Sequence, residues 1–327
     1  MTLVIRAVIV AAALLLAVLA GALAYVSQPI GWLPPPTPDG QVDPQRLEAH
    51  VRMLAETLAP RDYKRQDNLD RVAAYVAAQL GAAGARVTEQ AYAAEGAGQY
   101  RNVIGSFGPE TGERVVVGAH YDGAGALPGA DDNASGVAGL LELARRLGSG
   151  GAPSTRVDLV AFTLEEPPYY DTPWMGSHVH AAALRREGAA VRAMISLEMI
   201  GYFSDAPGSQ RLPNPLLRLV YPSRANFIAV IGRLADTRLT RRVKRAMQGA
   251  SALDVYSMNA PTWVPGIDFS DHRSYWAHGY PAVMVTDTAF YRNERYHTAR
   301  DTPDSLDYRR MAEVVRGVHR AVLMLAR

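Results

Sequence analysis

Apolar positions follow three rhythms along this chain. The first is unbroken: residues 7–26 carry no charge and are nearly all apolar. As a helix such a run is roughly 30 Å long, the thickness of a hydrocarbon core. The second rhythm is helical. Asp43-Pro44 reads as an N-cap followed by proline at the first helical position, and Leu47, Val51, Leu54 and Leu58 then fall on one stripe. Leu69, Val72, Val76 and Leu80 predict a second helix over 68–80, closed by Gly81 and Gly84. The same spacing predicts helices over 135–147, 177–186, 240–248 and 308–325. The third rhythm is a set of short apolar runs, at 87–92, 102–107, 115–120, 156–163, 190–197, 226–232 and 281–286, which read as strands. Strands alternating with helices predict an α/β sheet with parallel pairs and helices on both faces.

Two stretches break these patterns. Residues 27–42, SQPIGWLPPPTPDGQV, read as a semi-rigid spacer. Residues 201–225 carry prolines at 207, 213, 215 and 222 and predict an irregular rim or lid. The chain therefore divides into a hydrophobic segment at 1–26, a linker at 27–42 and one large domain over 43–327. Arg6 precedes the apolar run and no Lys or Arg follows it until Arg46. That asymmetry places the N-terminus inside and the body outside a membrane. The run is longer than a signal-peptide core, which favours a retained anchor, although Ala22-Leu23-Ala24 is an acceptable cleavage site.

Composition narrows the chemistry. A net charge of +2 with no long basic run argues against nucleic acid as partner, and Arg241, Arg242, Lys244 and Arg245 read as a solvated helix face. There is no cysteine, so disulfides, thiolate ligands and a thiol nucleophile are excluded, and any metal must be held by His, Asp and Glu. Candidates for that role sit at strand ends, where open α/β sheets place ligands. His120 ends the strand VVVGAH and Asp122 follows it; Asp131 and Asp132 precede Asn133, where a helix cap is the competing reading. Glu165 and Glu166 follow VDLVAFTL, Glu198 ends AMISL, and His297 lies beyond the last core strand. Adjacent carboxylates after a buried strand repel one another unless a cation is near. A mixed nitrogen and oxygen set of this kind suits zinc, with manganese or cobalt as alternatives. Ser135 reads as a helix cap, not a nucleophile.

The segments HYD, GADDNASG, FTLEEPPY, SLEMIGY, FSDH and RYHTARDTPDSLD, in this order and strand context, resemble the dizinc exopeptidase family that includes bacterial secreted leucyl aminopeptidases and glutamate carboxypeptidase. The resemblance spans roughly residues 45–325. It implies a single three-layer α/β/α domain around a mixed, mostly parallel sheet. It also implies two zinc ions and a peptide or small amide substrate. By position, His120 and Glu198 look like ligands of one ion, Glu166 and His297 of the other, and Asp132 the bridge. Glu165 looks like the general base, Tyr296 a hydrogen-bond donor to the oxyanion, and Asp122 the partner that orients His120. Glu198 stands where many family aminopeptidases have Asp, which puts metal spacing and amine recognition in question.

Two rivals remain at this point. A glutaminyl-cyclase-like acyltransferase with one zinc is disfavoured by Tyr, not Trp, before His297. A non-catalytic ectodomain is disfavoured by the complete residue set. Asp271 and His272 match a family motif without a ligand role. His178 and His180 read as packing or surface residues. Trp174, Tyr202, Trp263 and Tyr291 are candidate specificity walls.

Overall fold

A computed structural model of the chain describes residues 2–27, 41–95 and 98–327. The expected linker lies outside these residues except at its ends. Helix α1 covers Thr2–Ser27; its apolar stretch Val4–Tyr25 is not buried in the body and meets it at Tyr25, against Arg241. Helix α2 (Pro44–Arg52) starts as expected, with the Asp43 carboxylate accepting the Gln45 N–H at 2.9 Å. The stripe then continues through a wider turn at Met53–Thr57, where Leu54 is still buried. Helix α3 spans Gln66–Ala82.

Eight strands form one sheet: β1 (Arg86–Ala94), β2 (Gly98–Phe107), β3 (Arg114–His120), β4 (Arg156–Phe162), β5 (Val191–Glu198), β6 (Phe227–Gly232), β7 (Asp254–Asn259) and β8 (Ala282–Thr286). Their order is β1-β2-β4-β3-β5-β8-β6-β7. The pairs β3/β4, β3/β5, β5/β8 and β6/β7 are parallel; β1/β2, β2/β4 and β6/β8 are antiparallel. The expected mixed, mostly parallel sheet is what forms. Helices α4 (Gly136–Ser149), α6 (Thr237–Gln248) and α8 (Tyr308–Leu325) join α2 and α3 on one face; α5 (Gly176–Arg186) and α7 (His272–Ala277) cover the other.

Alternation along β3 decides which face each side chain serves. Val115, Val117 and Ala119 enter the larger core with Leu140, Val315 and Val318, whereas Val116 enters the smaller one with Val160, Phe162 and Tyr275. Each fully buried Val or Leu contributes roughly 1.5–3 kcal/mol. Gly118 faces the Phe162 ring, and a Cβ there would sit 2.1 Å from it. The small residue lets the ring lie flat on the central strand.

Sequence patterning missed β7 and α7. Strand β7 alternates buried and half-exposed positions at the sheet edge, and α7 is too short for its period to register. Residues 201–225 carry a single short helical turn, Pro215–Leu219, and one bridge, Ser204 to Ala225.

Helix α2 is clamped to α4 by Glu142, whose carboxylate meets Arg46 Nε and Arg145 Nε at 2.9 Å each and His50 Nε2 at 3.6 Å. Burial would raise its pKa, but these three partners outweigh burial and bring it to about 2, below the ordinary 4.5. A depressed carboxylate stabilises the fold fully above 4.5 and loses that contribution as pH falls toward 2. Glu142→Gln is therefore expected to destabilise at pH 7 and to converge on the parent as pH drops through that window. Urea unfolding of both proteins across it is the measurement.

Candidate metal centre

The strand ends and following turns converge at one edge of the sheet. His120 is the last residue of β3 and Glu198 the last of β5. Glu165 and Glu166 follow β4, with Leu164 before them at φ 59°. Met199, just after Glu198, has φ 49°, and His297 itself has φ 54°. Three non-glycine residues in the left-handed region within one site mark backbone strained to aim side chains.

Two donor sets result. His120, Asp132 and Glu198 offer one ligand atom each, all within 4.8 Å of one another, and Asp132, Glu166 and His297 offer a second such set. Asp132 belongs to both. His120 Nε2 lies 3.3 Å from Asp132 Oδ1 and 3.4 Å from Glu198 Oε2; His297 Nε2 lies 3.0 Å from Asp132 Oδ2 and 3.3 Å from Glu166 Oε2. The two oxygens of Asp132 thus face opposite sets. Glu165 belongs to neither and stands 3.8 Å from His120 Nε2. All five residues expected as ligands come together, with Glu165 beside them.

The electrostatics fit a divalent ion. Burial raises Glu166 to about 7, aided by the Asp132 charge. Burial also raises Glu165 and Glu198. Burial alone would lower the two imidazoles, yet the surrounding carboxylates lift His120 well above its ordinary value and His297 to about 10. Burial raises Asp132 too, but contacts to both histidines hold it down. Positive charge is in demand at this point. His120 Nε2 and Glu166 Oε1 are buried without any hydrogen-bond partner, which suits coordination to a hard cation.

Surrounding groups fix the set in place. The carboxylate of Asp122 accepts the backbone N–H of Glu165 at 3.1 Å and of Glu166 at 3.0 Å. Its contact to His120 Nδ1 is longer, 3.6 Å, and the nearer acceptor for that nitrogen is the Asp122 backbone carbonyl at 3.2 Å. The Asp122 carboxylate thus contacts His120 and also secures the two glutamates, while its carbonyl is the nearer acceptor for the imidazole. Asn133 accepts the N–H of Gly136 and of Met199 and donates to Leu197 O at 2.8 Å, tying the Asp132 turn to β5. Asp131 is no helix cap: it accepts from Asn293 Nδ2 at 2.8 Å and Gly201 N at 3.0 Å. Ser135 does stand at the N-cap position of α4, but its hydroxyl makes no capping bond: it donates to Asp131 O and accepts the Ile200 N–H. Tyr296 stacks on His297 with ring centroids 3.9 Å apart.

Three contributors were not singled out from the sequence. Ser270 donates to Glu198 Oε2 at 2.8 Å, which steadies the longer side chain. Asp301 accepts the N–H of Asp131 and Asp132 at 3.0–3.1 Å. Arg61, 1% exposed, donates to the carbonyls of Leu54, Tyr121, Pro128 and Gly129 around the loop that carries Asp132. The FSDH motif pointed to Ser270; nothing in the pattern around Arg61 did.

Beside Glu198 opens an apolar cavity of about 80 Å3, lined among others by Phe227, Ala229, Ile231, Met258, Met284 and Tyr291. Of the four aromatic wall candidates, Tyr291 alone lines it; Tyr202 lines a separate polar cleft and Trp263 is 80% exposed. His180 is a packing residue bonded to Tyr275 Oη, and His272 Nε2 donates to Ile267 O at 2.7 Å.

Replacing Asp122 with Asn sets an amide against two backbone N–H groups. Asp122→Asn is expected to cost about 1–3 kcal/mol of stability and to weaken retention of a divalent metal roughly 10–100-fold. Urea titration and competition with a chromogenic chelator check the two effects.

The profile of the family described as "Peptidase family M28" matches residues 102–322. The chain is 50% identical over 291 residues to the uncharacterized protein YfbL of Escherichia coli K12, covering 86% of this chain and 88% of that one. It is 28% identical over 230 residues to leucine aminopeptidase 1 of Ajellomyces capsulatus, covering 66% of this chain and 53% of the fungal protein. Among solved structures, LapB of Legionella pneumophila aligns with TM-score 0.71 and 21% identity over 88% of this chain and 73% of that one. Fimbriiglobus ruber glutaminyl cyclase aligns with TM-score 0.65 and 20% identity over 89% and 98%. These likenesses share the α/β architecture seen here. With two thirds of its length under the family profile, the chain belongs to peptidase family M28, a family of metal-dependent peptidases.

Proposed function

We propose that this chain is a zinc aminopeptidase that removes an N-terminal residue with a large apolar side chain. The observation that carries the reading is the pair of donor sets joined at Asp132 with one further carboxylate, Glu165, left uncommitted. His120, Asp132 and Glu198 would hold one ion, and Asp132, Glu166 and His297 the other. Bound zinc supplies Lewis acidity toward the scissile carbonyl and acidifies water. Glu165 accepts the proton of the attacking water and delivers it to the departing amine. Tyr296, fixed by stacking on His297, donates its phenol hydrogen to the carbonyl oxygen as charge develops there. Glu198 carries a carboxylate at the mouth of the apolar cavity, where a substrate ammonium and its side chain meet. Manganese or cobalt fits the same donors.

The competing single-zinc cyclase reading has a shared architecture in its favour. It leaves the second donor set without a use. A non-catalytic ectodomain leaves both sets and Glu165 without one.

Helix α1, with mean hydropathy 2.8 over Val4–Tyr25, is proposed as a membrane anchor that holds the body outside the cytoplasm. Retention of the chain in membranes after carbonate wash supports this; release of a shortened chain overturns it.

Leucyl and phenylalanyl anilides are expected to be cleaved, blocked peptides to be spared, and chelation to abolish turnover. N-terminal glutaminyl peptides converted to pyroglutamate instead would favour the cyclase. Glu165→Gln is expected to keep its zinc and lose roughly 10²–10⁴-fold in kcat. Ala229→Leu is expected to narrow the cavity and raise KM for phenylalanyl over alanyl anilides; equal effects on both would remove the cavity as the side-chain site.

A further inference from the structure

Helix α6 carries its charge on one side. Arg238, Arg241, Arg242 and Arg245 are spaced i, i+3, i+4, i+7, so they share a single face. Arg238, Arg242 and Arg245 are exposed, and Leu234, 49% exposed one turn earlier, extends the same face. The helix contains no carboxylate. Among the described residues none of the four arginines forms an ion pair, in contrast to Arg233, which binds Asp236 at 2.8 Å. Strand β7 contributes one carboxylate, Asp254, which pairs with none of them. Lys244, on the inner side, is buried, and burial lowers it to about 8. The unneutralised charge is therefore directed outward.

A second observation says what that face meets. The end of α1 rests on the same part of the body: α1 packs on β7, and the guanidinium of Arg241 sits 4.3 Å from the centre of the Tyr25 ring. Tyr25 closes the apolar span of Val4–Tyr25. Aromatic residues at the end of a span lie at headgroup depth. A helix whose arginine stacks on that tyrosine lies at the same depth.

We propose that the arginine face of α6 binds the anionic phospholipid headgroups of the leaflet in which α1 ends, and so fixes the orientation of the catalytic body against the bilayer. The proposal rests on α1 being a retained anchor. It replaces the reading of this helix as merely solvated. Guanidinium groups suit the partner, since they match phosphate geometry with paired N–H donors. Leu234 is placed to enter the acyl boundary, as in interfacial helices.

The absence of cysteine from the chain makes a clean test available. Full-length protein with Leu234→Cys, labelled with a fluorophore, is reconstituted into phosphatidylcholine bilayers with and without phosphatidylglycerol, each doped with brominated lipid as quencher. Flotation with phosphatidylcholine vesicles reports on α1 alone. The expected result is flotation in both bilayers and quenching that is strong only with phosphatidylglycerol. High salt and R238Q/R242Q/R245Q are expected to abolish that quenching, with each arginine worth roughly fivefold in headgroup partition. The double variant R242Q/R245Q, with an unchanged thermal midpoint, guards against misfolding and is expected to show a partial loss. A protein that floats but is quenched equally in both bilayers, or equally after substitution, overturns the arginine face and leaves the anchor standing. A protein that fails to float overturns both.

Discussion

Too many carboxylates share one edge of this sheet. Asp122, Asp131, Asp132, Glu165, Glu166, Glu198, Asp271, Asp287 and Asp301 are all buried there, against the imidazoles of His120 and His297 and the guanidiniums of Arg61 and Arg292. An isolated buried charge costs several kcal/mol, so each acid needs an account. Six of the nine divide by what they bind. Asp122 and Asp301 are satisfied by backbone N–H groups, and Asp131 by Asn293 and the N–H of Gly201. Asp132, Glu166 and Glu198 instead face imidazole nitrogens. The first group holds the loops; the second supplies carboxylates to the two donor sets.

That division explains why the scaffold is rigid where the chemistry is. The strands end in a buried apolar layer, so what lies beneath the acids is hydrophobic core. The turns after them are locked by side chains reaching far along the sequence, such as Asn133 to Leu197 and Arg61 to Gly129. Left-handed backbone at Leu164, Met199 and His297 is tolerated because neighbouring hydrogen bonds hold each of these turns in place. Ser270 shows the same logic on a smaller scale: one hydroxyl absorbs the extra methylene of Glu198.

Much of this was legible in the chain. The alternation of apolar runs with amphipathic stretches determines the layered sheet, and strand ends bearing His or Glu locate the site. What was not legible has physical reasons. Strand β7 sits at an edge, where one side of each residue meets little, so its alternation is shallow. Arg61 has no charged partner in hydrogen-bond contact; it serves backbone carbonyls, and carbonyls leave no trace in sequence. The resemblance ties the Asp122 carboxylate to His120, and the two N–H groups it also holds arrive from the turn after β4, which leaves no mark at position 122. The Ser135 hydroxyl likewise spans to Ile200, a partner that its place at a helix start does not reveal.

The bond between Asp301 and the Asp131 amide joins positions 170 residues apart. His297 belongs to the same late segment. A ribosome that has delivered the first two hundred residues has made the turn bearing Asp132, with its braces at Arg61 and Leu197, but not the Asp301 carboxylate that holds its amides. The first donor set is thus complete in sequence by Glu198, whereas the second is assembled only once the late segment bearing His297 has joined it.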